Sequence, residues 1–177
     1  MEQKHQEEFI NLRTEAQEIL RRGFQEKPRD RRVFQLVVLS SFEASYSWEL
    51  YERKIEAGAV EMAVIHAIWH SQKDVEKFDP FTRLRHPQKL SPTITTNIWS
   101  IGRSIALEII EELSKIAVPV LPYEGGINLD GISYELTLGS DSNLSRFVWH
   151  NQGPSQWNDL QNWAMQMVAK LDAASPS

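Results

Sequence analysis

Residues 33–39, with the sequence VFQLVVL, carry apolar side chains at nearly every position and decide how the fold is assigned. A strand that is buried on both faces has this near-continuous apolar pattern. The next segment, SYSWEL at residues 45–50, alternates serine or glutamate with large apolar side chains. That period of two is typical of a strand with one buried and one polar face. We therefore expect a central strand followed by a half-buried one.

A third apolar run covers residues 60–69, and turn-forming residues separate it from the second run. Together the three runs predict an antiparallel meander. A helix over residues 33–70 is the competing interpretation, because short apolar runs do not distinguish the two structures well. On a helix, His66 and His70 could meet as metal ligands, whereas on a strand they lie roughly 13 Å apart, at about 3.3 Å per residue. We favour the strand and expect no metal site.

Helical periodicity appears on either side of these runs. Residues 6–22 repeat apolar side chains at helical spacing and are followed by Gly23, a residue type that commonly terminates helices. Residues 105–116 repeat the same spacing and end before Pro119, which cannot continue the hydrogen-bond ladder. Pro154 then opens a last helix, since its missing N–H costs nothing at that position.

The remaining segments complete the predicted fold. Residues 93–99 and 144–149 are expected to be strands, and the Asp-Gly pair at 130–131 predicts a two-residue hairpin. The tail from about residue 173 is expected to be flexible. The chain is therefore predicted to be a single α+β domain with a mostly antiparallel sheet and N-terminal, middle and C-terminal helices packed on it.

Composition limits the functions open to the chain. It has no cysteine, so disulfides, thiol catalysis and cysteine-ligated metals are excluded. The 19 basic and 24 acidic residues give a formal charge of −5, which argues against nucleic acid as the partner. A polar N-terminus and the lack of a long apolar run predict a cytoplasmic protein without a membrane span. The sequence contains no recognisable catalytic or cofactor motif, and we expect no cofactor.

Candidate binding residues lie in two segments. Arg83, Arg85 and His86 belong to a long connection bounded by prolines, and two guanidiniums with an imidazole can hold a carboxylate or a phosphate. Tyr46 and Trp48 lie on the aromatic strand and are candidates for the wall of the same pocket. The structural interpretation is that the loop residues cap nearby carbonyls, and that most of the six tryptophans fill the core.

Basic residues are densest around the end of the first helix. Their simplest role is to complement the helix dipole in solvent, and nucleic acid binding is the alternative. The basic cluster comprises Arg21, Arg22, Lys27, Arg29, Arg31 and Arg32.

The glutamates of the middle helix are interpreted as an exposed helix face, because acid–base catalysis needs carboxylates in different environments.

Several segments resemble a group of uncharacterised small bacterial proteins. They are LDGISYEL at residues 129–136, FVW at 147–149 and PSQW at 154–157, and the segments at 83–87 and 46–50 are similar too. These motifs suggest structural roles, and the resemblance implies no catalytic residues. Some proteins of this kind are similar to immunity or accessory proteins of toxin systems.

The sequence thus favours a non-enzymatic interaction protein. Its expected partner is another protein, and the negative net charge favours a basic one. The resemblance implies that this partner could be a toxin, which the protein would neutralise. The alternative is a protein that binds a small anionic molecule, or an enzyme of unfamiliar type. Either would use the loop from Arg83 to His86.

Overall fold

The computed structural model describes residues 2–24, 30–41, 43–55, 59–77, 90–119, 131–139 and 144–176. Within these ranges the chain forms a six-stranded antiparallel sheet and four α-helices. The strands are β1 (Arg31–Ser40), β2 (Ser45–Lys54), β3 (Val60–Trp69), β4 (Ile94–Ile101), β5 (Ile132–Leu138) and β6 (Ser145–His150). The helices are α1 (Glu2–Arg22), α2 (Ser71–Glu76), α3 (Arg103–Ser114) and α4 (Asn158–Ala173), and a 3-10 turn at Ser155–Trp157 precedes α4.

The strand order is β4-β3-β2-β1-β5-β6, with every neighbouring pair antiparallel. The predicted meander is confirmed, and the helical alternative for residues 33–70 is wrong because β1, β2 and β3 pair along their lengths. The α+β class is also confirmed. The strand at 127–129 and Asp130 of the predicted hairpin lie outside the described residues, so the hairpin stays a prediction; β5 itself pairs with β1 and with β6.

One face of the sheet is apolar and is covered by α3 and α4; we call it the helix-pair face. Phe34 is fully buried there, and the Trp163 ring of α4 meets it edge-on at 5.7 Å between centroids. Trp163 Nε1 donates a hydrogen bond to the Ile109 carbonyl of α3, 3.2 Å away, which ties the two helices together. Other buried members of this core are Leu36, Trp48, Leu50, Val64, Trp99, Leu136, Trp149, Leu160 and Met167.

The opposite face is covered by α1, and we call it the α1 face. Ala16 and Leu20 of the helix pack against a small cluster of strand residues that includes Val37 and Trp69. The helix ends where predicted, because Gly23 has a φ of 81° and its N–H closes the last turn on the Ile19 carbonyl.

The expectation that β2 is half-buried is wrong. Ser45, Ser47 and Glu49, the polar side of its alternation, are all 0% exposed. Their burial follows from α1, which lies across this side of the strand. In β2 the period of two therefore reflects one apolar face and one polar face, and both faces are buried.

Among the described residues, no helix combines the length and the apolar character needed to cross a membrane.

Candidate functional site

A row of polar side chains crosses the α1 face through four adjacent strands. In register it runs from Glu49 on β2 through Gln35 on β1 and Thr137 on β5 to Arg146 on β6. We call these four residues the polar row. Because residues directly opposite in an antiparallel pair share a face, the register brings all four to the same side of the sheet.

The C-terminal end of α1 lies on the polar row. The last carbonyls of a helix have no partner within the helix. Here Gln35 Nε2 donates to the Leu20 carbonyl at 2.8 Å, and Glu49 Oε1 accepts the Phe24 N–H at 3.0 Å just beyond the helix. A Cβ built on Gly23 would overlap the Glu49 carboxylate, so only glycine permits this approach. The polar row thus fixes the position of the helix end.

Glu135 lies on the same face of β5, two residues before Thr137, and binds two arginines. The Arg21 guanidinium reaches it with Nε at 2.9 Å and Nη2 at 2.7 Å from Oε1, and Arg146 bonds to Oε2. Burial acts to raise the pKa of Glu135, but the hydrogen bonds from Arg21 and Arg146 outweigh it and hold that pKa below its ordinary value. Glu135 therefore stays ionised and holds both guanidiniums in place.

Glu49 is buried in a different environment. It accepts a hydrogen bond from the Tyr51 hydroxyl at 2.6 Å, and the nearest cation, Arg32 Nη1, is 3.8 Å from Oε2. Burial raises the pKa of Glu49 above its ordinary value, against the opposing hydrogen bonds from Tyr51 and Phe24. The α1 face thus contains one buried carboxylate that is held charged by arginines and one that is shifted toward its neutral form.

Between α1, β1, β5 and the start of β6 there is a cleft of about 180 Å³. Three guanidiniums and one carboxylate line it, which leaves a formal charge of +2 (three minus one) in a chain whose total is −5. Gln35 and Thr137 add neutral polar groups, and the full lining is Arg21, Arg32, Gln35, Val37, Glu135, Thr137, Leu144 and Arg146. We call it the arginine cleft.

The arginines of the cleft differ in how fully they are already bound. The side chains of Arg21 and Arg146 are 39% and 51% exposed, so part of each remains open to solvent although both bind Glu135. Arg32 donates to Gln35 Oε1 at 3.0 Å, but its Nε is buried without a hydrogen-bond acceptor among the residues that the structure describes. A guanidinium has five N–H donors, so the cleft retains capacity for an anion.

The predicted pocket residues Tyr46 and Trp48 lie on the helix-pair face, away from the cleft. The Trp48 ring stacks on the His66 imidazole with centroids 3.6 Å apart and planes at 7°, and Tyr46 meets the same imidazole edge-on at 6.3 Å. Burial lowers the pKa of His66 to about 4. This arrangement is an aromatic stack with a neutral imidazole.

Arg83, Arg85 and His86 lie outside the described residues, so their convergence with Trp48 stays a prediction. The structure does show how the start of their connection is fastened. Asp74 of α2 is fully buried and accepts hydrogen bonds from Trp69 Nε1 at 2.6 Å and from the Thr93 N–H at 2.9 Å. These bonds tie the segment before the connection to the segment after it.

The two histidines considered as metal ligands have separate partners. His66 stacks on Trp48, and His70 Nε2 lies 2.9 Å from the Thr95 hydroxyl. In the described part of the chain, no group of three or more histidine, aspartate or glutamate side chains is arranged to hold a metal ion.

The cleft draws on residues that the sequence analysis had separated. Arg21 and Arg32 belong to the basic cluster that was assigned to a solvated helix end, whereas Arg31 of the same cluster pairs with Glu52 elsewhere. Glu135 and Arg146 lie 114 and 125 residues after Arg21 (135 minus 21 and 146 minus 21), and only the strand order joins them to the helix end. The only arginine, lysine, aspartate or glutamate side chains in these two strands, Glu135 on β5 and Arg146 on β6, were the available indication.

No protein-family model, curated protein or solved structure matches this chain. The resemblance to small bacterial proteins therefore stays a prediction, and the functional argument rests on the geometry of the chain itself.

Proposed function

We propose that the protein is a binding protein that holds an anionic group, a carboxylate or a phosphate, in the arginine cleft. The observation that carries this proposal is the convergence of three guanidiniums, from α1, β1 and β6, on one cleft of about 180 Å³. The proposal takes its ligand class, an anion, from the alternative hypothesis of the sequence analysis, but places the site on the α1 face and not in the loop at residues 83–86.

Preorganisation supports this proposal. Ordering a long cationic side chain around a ligand costs conformational free energy, on the order of 0.5–1.5 kcal/mol per side chain. Glu135 already holds Arg21 and Arg146, and Gln35 holds Arg32, so much of that ordering is complete before a ligand arrives. The guanidinium geometry also matches the two oxygens of a carboxylate or phosphate.

Titration calorimetry with inorganic phosphate and with glutarate tests the proposal. We expect saturable binding that weakens as salt is added, because the attraction is between partly exposed charges. Replacing Arg32 with Gln should weaken binding by about tenfold, the loss of one charge-assisted hydrogen bond. Arg31→Gln is the matched control, since Arg31 is the neighbouring residue on β1 but pairs with Glu52 outside the cleft. Equal losses in the two variants, or no binding by the unmodified protein, would refute the proposal.

A second proposal retains the non-enzymatic interaction protein inferred from the sequence, acting in the cytoplasm on a protein partner such as a toxin. The observation that favours a protein partner is the exposure of apolar side chains on the outer strands, with Ile98 on β4 and Val148 on β6 at 40% and 39%. A basic partner remains a prediction from the net charge of −5. Purification from the native host that yields no stoichiometric partner would count against this proposal.

A further inference from the structure

β6 is an edge strand in a form that can accept another strand. It pairs with β5 on one side in an uninterrupted register, and within the described residues no strand lies on its other side. Natural edge strands are commonly protected by prolines, bulges or several charges. Ser145–His150 contains no proline and no bulge, and Arg146 is its single arginine or lysine.

The α1-face side of this edge alternates between apolar and charged residues. Leu144, immediately before the strand, and Val148 within it are 50% and 39% exposed. Arg146 lies between them, bonded to Glu135 and lining the arginine cleft. On an added strand, the side chains directly opposite these residues would lie roughly 4.5–5.5 Å away between Cβ atoms.

We propose that an extended acidic peptide adds to β6 as a further strand and places one carboxylate in the arginine cleft. This inference rests on the proposed function and names the ligand that carries the anionic group. The peptide pattern that fits is apolar, any residue, acidic, any residue, apolar. The pattern Leu144, Arg146, Val148 is symmetric about the arginine, so the same peptide pattern fits whether the added strand runs parallel or antiparallel to β6.

The charges of the side chains distinguish the two edge strands and favour an acidic peptide at β6. The backbone of an edge strand offers hydrogen bonds to any extended chain, and the side chains decide which chain binds. β4 is the other edge strand, but its α1-face residues Ile94, Thr96, Ile98 and Ser100 carry no charge. Only at β6 do free backbone groups, exposed apolar side chains and a surplus of positive charge occur together in the described chain.

Fluorescence anisotropy with a labelled peptide of about seven residues, enough to span a typical strand, tests the inference. The peptide has glutamate at its centre and leucine two positions to either side. We expect saturable binding, about tenfold weaker when the glutamate is replaced by glutamine. A peptide with N-methylated backbone amides on its inner edge should not bind, because strand addition needs those donors. On binding, the amide protons of β6 should exchange more slowly.

Matched variants on the two edges locate the site. Val148→Glu puts a negative charge beside the peptide's carboxylate and should weaken binding at least about tenfold. Ile98→Glu makes the same change at a residue of nearly equal exposure, 40% against 39%, on the opposite edge and should have no effect. Both residues are exposed on the sheet surface, so both variants are expected to fold, and circular dichroism checks this.

The possible failures are distinguishable. If phosphate binds to the protein, weakens with Arg146→Gln, and no peptide binds, the proposed function stands and strand addition is overturned. If the glutamate and glutamine peptides bind equally and phosphate does not bind, the carboxylate has no place in the cleft and both ideas fail. If the protein forms a dimer that Val148→Glu dissociates, and peptide does not compete, the edge is a contact between copies and the inference is overturned.

Discussion

The two faces of the sheet are made by the same strands, yet they are held to their helices by different interactions. On the helix-pair face, apolar side chains of α3 and α4 pack against Phe34, Leu36 and Trp48. On the α1 face, a smaller apolar cluster packs against Ala16 and Leu20, and hydrogen bonds with the polar row together with the Arg21–Glu135 ion pair hold the end of the helix. The comparison separates a face that stabilises the fold from a face that also presents charged groups.

This difference between the two faces indicates which of them is better suited to bind a ligand. An apolar face tolerates exchange of one large side chain for another of similar volume, because its contacts are not directional. A buried polar network needs each partner in place, since an unsatisfied buried group costs about 1–3 kcal/mol. The α1 face keeps such a network and leaves part of three arginines open at its border, which an apolar face cannot do.

The largest effect that the comparison predicts comes from the helix-pair face. Phe34→Ala should lower the free energy of unfolding by about 3–5 kcal/mol, because it leaves a cavity beside Trp163 in a packed core. Gln35→Ala, the next residue on β1 but on the α1 face, should cost less, about 1–3 kcal/mol for the unpaired Leu20 carbonyl. Urea denaturation measures both. A larger loss for the glutamine variant would reverse the assigned roles of the two faces.

The next effect tests the polar network at its most buried residue. Glu49→Leu removes the acceptor for the Phe24 N–H and the Tyr51 hydroxyl and should destabilise the protein by about 1–3 kcal/mol, chiefly because the Tyr51 hydroxyl is buried. Glu49→Gln keeps one acceptor oxygen and should cost less. The same denaturation experiment compares them, and a leucine variant as stable as the unmodified protein would mean that the network does not hold the helix end.

A smaller effect concerns the dependence of stability on pH at His66. Burial lowers its pKa in the folded protein to about 4, from 6.5. Between these values the unfolded chain binds a proton that folded His66 does not, so this contribution to stability is complete above about pH 6.5 and is lost as the pH falls toward about 4. His66→Phe should lose less stability than the unmodified protein over that range. Urea denaturation across this pH range measures the effect, and an unchanged slope in His66→Phe would contradict it.

The smallest effect is expected at the surface of the helix pair. Lys170 of α4 lies 2.7 Å from both Glu108 and Glu112 of α3. These are exposed or partly exposed ion pairs, and such pairs contribute only about 0–1 kcal/mol. Lys170→Gln should therefore change the unfolding free energy by less than about 1 kcal/mol. A loss comparable to that of Phe34→Ala would mean that charge, and not apolar packing, joins these helices.

The elements of the fold could be predicted from local patterns because their causes are local. The apolar run at 33–39, the third run at 60–69 and the glycine after α1 each reflect a constraint within a few residues, and the structure places β1, β3 and the end of α1 there. The strand order beyond β4 has no such local cause. The chain crosses from one side of the sheet to the other before β5, and this decides which side chains meet β1.

The candidate site could not be predicted for the same reason. Arg21 and Glu135 are 114 residues apart, and nothing in either segment alone indicates a partner. The polar alternation in β2 was interpreted as contact with solvent, because a buried glutamate is rare unless its partners are known. Here those partners are Phe24 and Tyr51, and the first of them comes from the turn after α1.

An NMR titration that follows the arginine Nε–Hε resonances tests the central claim most directly, because each guanidinium reports for itself. On addition of glutarate, the resonances of Arg21, Arg32 and Arg146 should shift together along one saturable curve. The resonances of Arg31 and Arg103, which lie outside the cleft, should not shift. Shifts spread evenly over all arginines, or shifts that grow linearly without saturation, would contradict an anion site on the α1 face.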